Sequence, residues 1–193
     1  MYKTFAVLLI IALFISCKQS TVKYDKPYFD FDSLVQNQVK VLGKSKWKKF
    51  SQLNQKTDTV LLQPDSMRAE LDIFTQLDVI NKPIFKGKYA VEEQKDVHSN
   101  LMVRRYRFQE KEKDKLKSAV PFVEFYYYKQ FSDLRKIISA YSEKNLLFNS
   151  SRELTLEFEE NPSKKITAYQ VKGFQKMLLS DSVRIRISAT RVD

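Results

Sequence analysis

The chain has 193 residues, a formal net charge of +11, one cysteine, one histidine and three glycines. These counts rule out a His/Cys zinc site and an internal disulfide, and they leave no material for glycine-rich phosphate or dinucleotide loops. Aromatic residues make up 13% of the chain, which with so little glycine favours a sheet with a crowded aromatic face.

The first element in chain order is a targeting segment. Met1-Tyr2-Lys3 is a short basic start, Phe5 to Ile15 is an unbroken apolar run, and Ser16 is a small residue directly before Cys17. That order is the layout of a secretory signal. Phe14-Ile15-Ser16-Cys17 resembles a lipobox, so over about its first twenty residues the chain resembles bacterial lipoproteins. The resemblance implies a signal peptide over 1–16, cleavage before Cys17, and acyl chains (diacylglycerol and palmitate) on that cysteine. The alternatives are an ordinary signal peptide with an incidental Cys17, or an uncleaved anchor, although the run is shorter than the roughly 20 residues a span needs. Two or more acyl chains hold a protein on a bilayer stably, at about 0.8 kcal/mol per buried methylene. Lys18 stands where Asp would imply retention at the inner membrane, so the resemblance implies the outer membrane, with the domain facing the periplasm.

Residues 17–27 carry no apolar periodicity and are rich in Lys, Ser and Thr, which predicts a lipidated tether. A single domain over 28–193 follows, long enough to bury a core without staples. Asp32 as N-cap, then Leu34, Val35, Val39 and Leu42 at helical spacing and Gly43 at the end, predict a first helix. After Pro64, a cap at Asp65 or Ser66 and the stripe Met67, Leu71, Phe74 and Leu77 predict a second, stopped by Asn81-Lys82-Pro83.

Elsewhere the period switches to two. Leu154, Leu156 and Phe158 alternate with Thr155, Glu157 and Glu159, and Val183, Ile185 and Ile187 with Arg184, Arg186 and Ser188, which predicts strands buried on one face. Further strands are predicted at Trp47–Leu53, Thr57–Leu62, Tyr89–Lys95, Leu101–Gln109, Val120–Gln130, Lys165–Lys172 and Phe174–Leu179. The stretch Leu134–Phe148 also fits a helix and is assigned mainly to strand. The predicted fold is α+β: two N-terminal helices followed by a curved antiparallel meander of seven or more strands, with the helices covering its apolar face.

Catalytic patterns are sparse. His98 stands beside Ser99-Asn100 in a turn signal, and no G-x-S-x-G elbow exists to present a serine. Glu153, Glu157, Glu159 and Glu160 are the densest carboxylates, but alternation places Glu157 and Glu159 on a solvated face, away from a paired acid/base role. No enzyme activity, cofactor or metal is expected. The basic excess favours anionic surfaces, and with an exported chain these are an anionic envelope component or an acidic protein partner, not nucleic acid; the alternative is that interspersed Lys and Glu simply keep a membrane-proximal domain in solution. Phe122, Phe125, Tyr126, Tyr127 and Tyr128 place bulky rings on both sides of one strand, which is either central core or an apolar ligand groove. Two functions stay open. One is a non-enzymatic, outer-membrane-anchored binding or structural module of the envelope, similar in outline to small Bacteroidota lipoproteins. The other is an acyl-chain or lipoprotein carrier, similar to the outer-membrane receptors of the Lol pathway.

Overall fold

The computed structural model describes residues 25–110, 116–160, 164–178 and 180–192. Its elements are α1 (Phe31–Leu42), β1 (Lys46–Leu53), β2 (Lys56–Leu62), α2 (Met67–Thr75), β3 (Tyr89–Lys95), β4 (Met102–Phe108), β5 (Phe122–Tyr127), β6 (Leu134–Lys144), β7 (Phe148–Phe158), β8 (Ile166–Met177) and β9 (Val183–Val192). The fold is α+β, with one open antiparallel sheet of nine strands in the order β2-β1-β9-β8-β7-β6-β5-β4-β3. From β3 to β9 the strands lie side by side in chain order. The β1–β2 hairpin falls between the two helices in the chain and joins the sheet beyond β9.

Both helices lie on one face of the sheet and bury one stripe each. In α1 the cap is Asp30 rather than Asp32: its carboxylate accepts from Ser33 N–H at 2.9 Å and from Ser33 Oγ at 2.7 Å. Phe31, Val35, Gln38 and Leu42 form the buried stripe. Gly43 ends the helix in right-handed conformation, φ −60°, so its glycine freedom is not used there. Gln38 is a polar member of the stripe, and both ends of its amide bond the start of β8 and the residues leading into it, Nε2 donating to Lys164 O and Oε1 accepting from Ile166 N–H, each at 2.9 Å. In α2, Met67, Leu71 and Phe74 are buried as their spacing predicts, and Leu77 follows in a 3-10 turn over Gln76–Asn81. A second 3-10 turn, Pro64–Ser66, precedes α2, and Ser66 makes no side-chain cap bond. Glu70 pins α2 to the sheet, accepting from Lys49 Nζ of β1 at 2.7 Å and from the Tyr169 hydroxyl of β8.

Cross-strand partners share a face, so the register assigns every side chain. Trp47, Val123, Phe125, Ile137, Leu154, Leu156, Phe158, Tyr169 and Val171 point toward the helices and are buried with them in one cluster. The face opposite is uncovered by any described element. Leu134–Lys144 is strand, and the turn before β7 is Asn145–Leu147. The two strands expected at 165–172 and 174–179 are a single strand, β8, running through Gly173. A side chain there would meet Ser151 O and, at 2.9 Å, Arg152 Cα, so this glycine marks a close approach of β7 and not a break. In β9, Val183 is 37% exposed and Ile185 and Ile187 are half-buried, because this end of the strand lies beyond the helices; Ala189 supplies the buried contact.

Candidate functional site

The five aromatic positions of the expected groove do not converge. In β5, Val123, Phe125 and Tyr127 point into the core, while Phe122, Glu124 and Tyr126 are half-buried on the open face. The Phe125 ring packs against Phe29 at 4.8 Å, Tyr106 at 5.2 Å, Phe131 at 5.4 Å and Phe31 at 6.2 Å, so it fills space and does not line it. Tyr127 meets Phe131 at 5.5 Å under the Arg104 guanidinium. Tyr128, 40% exposed, follows the strand end. Nor is β5 central: two strands, β4 and β3, separate it from the sheet edge, and β7 holds the middle.

On the open face Tyr126 belongs to a polar row across four strands. Arg105 Nε of β4 donates to Glu124 Oε1 at 2.6 Å, the Tyr126 hydroxyl donates to Glu124 Oε2 at 2.9 Å, and Lys136 of β6 stands 6.0 Å from the Tyr126 ring and 3.9 Å from Glu157 Oε1 of β7. Val103, 3% exposed, sits directly opposite Tyr126 and gives the row an apolar floor. Burial first, and then the Glu124 carboxylate, push the Tyr126 hydroxyl up to about 12. It therefore stays protonated near neutrality and serves as a donor, not a base.

The row ends in an open hollow of about 520 Å³ lined by Leu101, Tyr128, Arg135, Lys136, Glu157 and Thr167, among others. Two register irregularities flank it, one between Tyr126 and Tyr127 against β6 and one between Glu157 and Phe158 against β8. Such bulges re-aim side chains, and here they bring Arg135 and Thr167 to the hollow. A lining of both charge signs suits a polar or zwitterionic group better than a hydrocarbon chain.

Beyond this row the open face is basic. Arg107, Lys172, Arg184, Arg186, Lys46 and Lys48 project from it, against Glu92 and Glu153. Glu157 lies on this face as its alternation predicts. Glu159, expected to be solvated, is largely buried beside Arg191, whose Nη2 lies 3.1 Å from its Oε2; it stands just past the end of β7, where the strand's alternation no longer sets its direction. His98 is exposed in the β3–β4 loop, as its turn signal predicts.

A second constellation joins the start of the domain to the 3-10 turn after α2. Asp30, Asp32 and Asp78 each place a carboxylate oxygen within 4.8 Å of the others, a spacing that could hold a metal ion. The Lys26 ammonium fills that position, 2.6 Å from Asp30 Oδ1, 2.8 Å from Asp32 Oδ2 and 2.9 Å from Asp78 Oδ2. Desolvation alone would lower the Lys26 pKa, and the three carboxylates outweigh it and raise it. Asn81 completes the clamp, accepting from Tyr28 N–H at 3.0 Å and donating to Phe29 O at 2.9 Å. Lys26, assigned by composition to the tether, is thus part of the folded domain. Composition could not find it, because the buried partner, Asp78, comes from the far side of α2 and only the fold brings it to Asp30 and Asp32. Cys17 lies outside the described residues. Among those residues no helix is long and apolar enough to cross a membrane. No protein-family model, curated protein or solved structure matches the chain.

Proposed function

We propose that the chain is a lipid-anchored, non-enzymatic binding module of the bacterial outer membrane, held through Cys17 with its domain facing the periplasm, and that the open face of the sheet is its binding surface. One observation carries the reading: an uncovered face of nine strands on which arginine and lysine outnumber carboxylates. A sheet of this width twists, and the resulting curvature would present that face as a broad saddle. The chemistry that fits it is an anionic envelope component, a polymer carboxylate or lipid phosphate, or an acidic protein. The filled core beneath Phe125 favours this over an acyl-chain carrier, which must keep an apolar void open.

Two measurements test the reading. Cys17→Ser should abolish incorporation of labelled fatty acid and release the protein from the outer-membrane fraction; unchanged attachment sinks the anchor. Co-sedimentation with peptidoglycan sacculi or lipopolysaccharide should be salt-sensitive and fall with Lys172→Glu and Arg186→Glu. Failure to bind either, together with saturable micromolar binding of a fluorescent fatty acid by the folded protein, would replace the proposal with the carrier.

A further inference from the structure

Several large exposed apolar side chains gather at one end of the sheet. Leu146 is 92% exposed, Leu147 69%, Leu178 66% and Met177 56%. Leu146 and Leu147 form the β6–β7 turn, Met177 ends β8, and Leu178 N–H donates to Leu147 O at 2.8 Å, so the two turns make one tip around a recess of about 230 Å³. The tip projects. Pairing of β6 with β5 ends at Ser139 opposite Val123, the segment before β5 makes one more bond, Ser142 N–H to Ala119 O at 2.7 Å, and β6 and β7 stay paired to Lys144 opposite Asn149; at about 3.4 Å per residue the paired strands run roughly 7 Å past that last bond before the turn.

Single exposed leucines are ordinary, but a group of aliphatic side chains on a hydrogen-bonded tip is a contact surface. Its charged neighbours are Lys144, Lys176 and Arg184 against Glu143 and Asp181. A handful of aliphatic side chains is far less than the roughly 800 Å² per partner of a stable protein interface, and the recess adds one half-buried ring, Phe148, where such interfaces gather several aromatic anchors. Leucines edged by lysines fit a bilayer surface, the side chains entering the acyl boundary and the ammonium groups meeting lipid phosphates. The chain's entry points the same way. Asp25 Oδ2 lies 3.8 Å from Lys86 Nζ, and Tyr89 N–H, at the start of β3, donates to the Tyr28 hydroxyl. The start of β3 and the end of β6 are at the same end of the antiparallel sheet. Cys17 precedes Asp25 by eight residues, a reach of at most about 29 Å.

We infer that the tip made by Leu146, Leu147, Met177 and Leu178 is a second membrane contact, seated in the headgroup and acyl boundary of an anionic phospholipid bilayer. That it meets the same membrane as the anchor rests on lipidation at Cys17; the contact itself does not. The test uses the full chain with Cys17→Ser, so that a thiol introduced by Leu146→Cys at the tip, or by Val97→Cys in the β3–β4 loop at the opposite end, takes an environment-sensitive fluorophore. Mixed with phosphatidylglycerol vesicles containing shallow spin-labelled quencher lipids, the tip label should shift to the blue and be quenched, and the Val97 label should not. Leu147→Asp with Leu178→Asp, in a chain whose melting curve is unchanged, should weaken the vesicle-dependent signal about tenfold or more. Lys144→Glu with Lys176→Glu should weaken it on phosphatidylglycerol but not on phosphatidylcholine. A tip label that stays water-exposed on vesicles overturns the inference. So does equal quenching at Val97, or a blue shift that needs no lipid and grows with protein concentration, which would make the tip a contact between copies of the chain.

Discussion

Replacing Lys26 with Met keeps the methylene stem in place and removes only the charge. Three carboxylates then face one another without a cation. They do not cost the same, because the Asp78 side chain is 6% exposed while Asp30 and Asp32 are 39% and 44% exposed. Water screens the latter two, so their share is small. An uncompensated buried charge costs about 3–5 kcal/mol, and the bonds to Asp78 Oδ1 from Phe31 N–H and Asn81 Nδ2, both 3.1 Å, relieve part of it. The expected loss is about 2–4 kcal/mol at pH 7. The pH dependence sharpens the test. In the wild type, burial alone would raise the Asp30 carboxyl, but its bonds from Lys26 and Ser33 outweigh that and hold it below the ordinary 3.8; its stabilisation is present above that value and lost as the pH falls below it. In Lys26→Met the crowded carboxylates bind protons more readily folded than unfolded, so stability should rise as the pH falls from 7 toward 4. Urea unfolding followed by Trp47, the single tryptophan and fully buried, reads both effects. A loss under about 0.5 kcal/mol at pH 7, or a pH dependence parallel to the wild type, would refute the clamp.

Two other outcomes follow from the same structure. Gly173→Ala should destabilise by about 1–3 kcal/mol, because the new methyl meets the β7 backbone and not a movable side chain, whereas Gly43→Ala, at φ −60° with only ordinary contacts, should be neutral or slightly stabilising in the same melts. Burial, as the largest cause, pushes the Tyr89 and Tyr126 hydroxyls up to about 12, so the folded chain keeps protons that the unfolded chain releases near pH 10; stability should fall as the pH rises from 10 toward 12, with phenolate absorbance appearing together with unfolding.

Local pattern carried the reading of this chain as far as local pattern reaches. The stripe Met67, Leu71, Phe74 and Leu77 and the alternation Leu154, Leu156 and Phe158 are buried as their spacing predicts, since each is decided within one turn or one pleat. Asp30 outdid Asp32 as the cap by one turn's geometry, and Gly173 read as a break because the backbone beside it is invisible from its own neighbours. The aromatic strand looked two-faced because Phe122 and Tyr126 are as bulky as Phe125 and Tyr127; only the helices, which cover one side, separate core from surface. The open-face row from Arg105 to Glu157 joins four strands through three separate pairings, one of which carries a bulge, and no spacing in the chain encodes that alignment.

The place of β1 sets the order in which this molecule can be made. Trp47, deep in the core, lies opposite Arg191 near the other end of the chain, and the β1–β2 hairpin has no other neighbour in the sheet. A lone two-stranded hairpin is only marginally stable in water. The first strands to leave the ribosome must therefore wait for the last one, and closing so long a loop is entropically slow. Until β9 arrives, Trp47 has no neighbouring strand but β2, and a nascent chain stays open; once β9 docks, the two ends of the domain lock together in one late step.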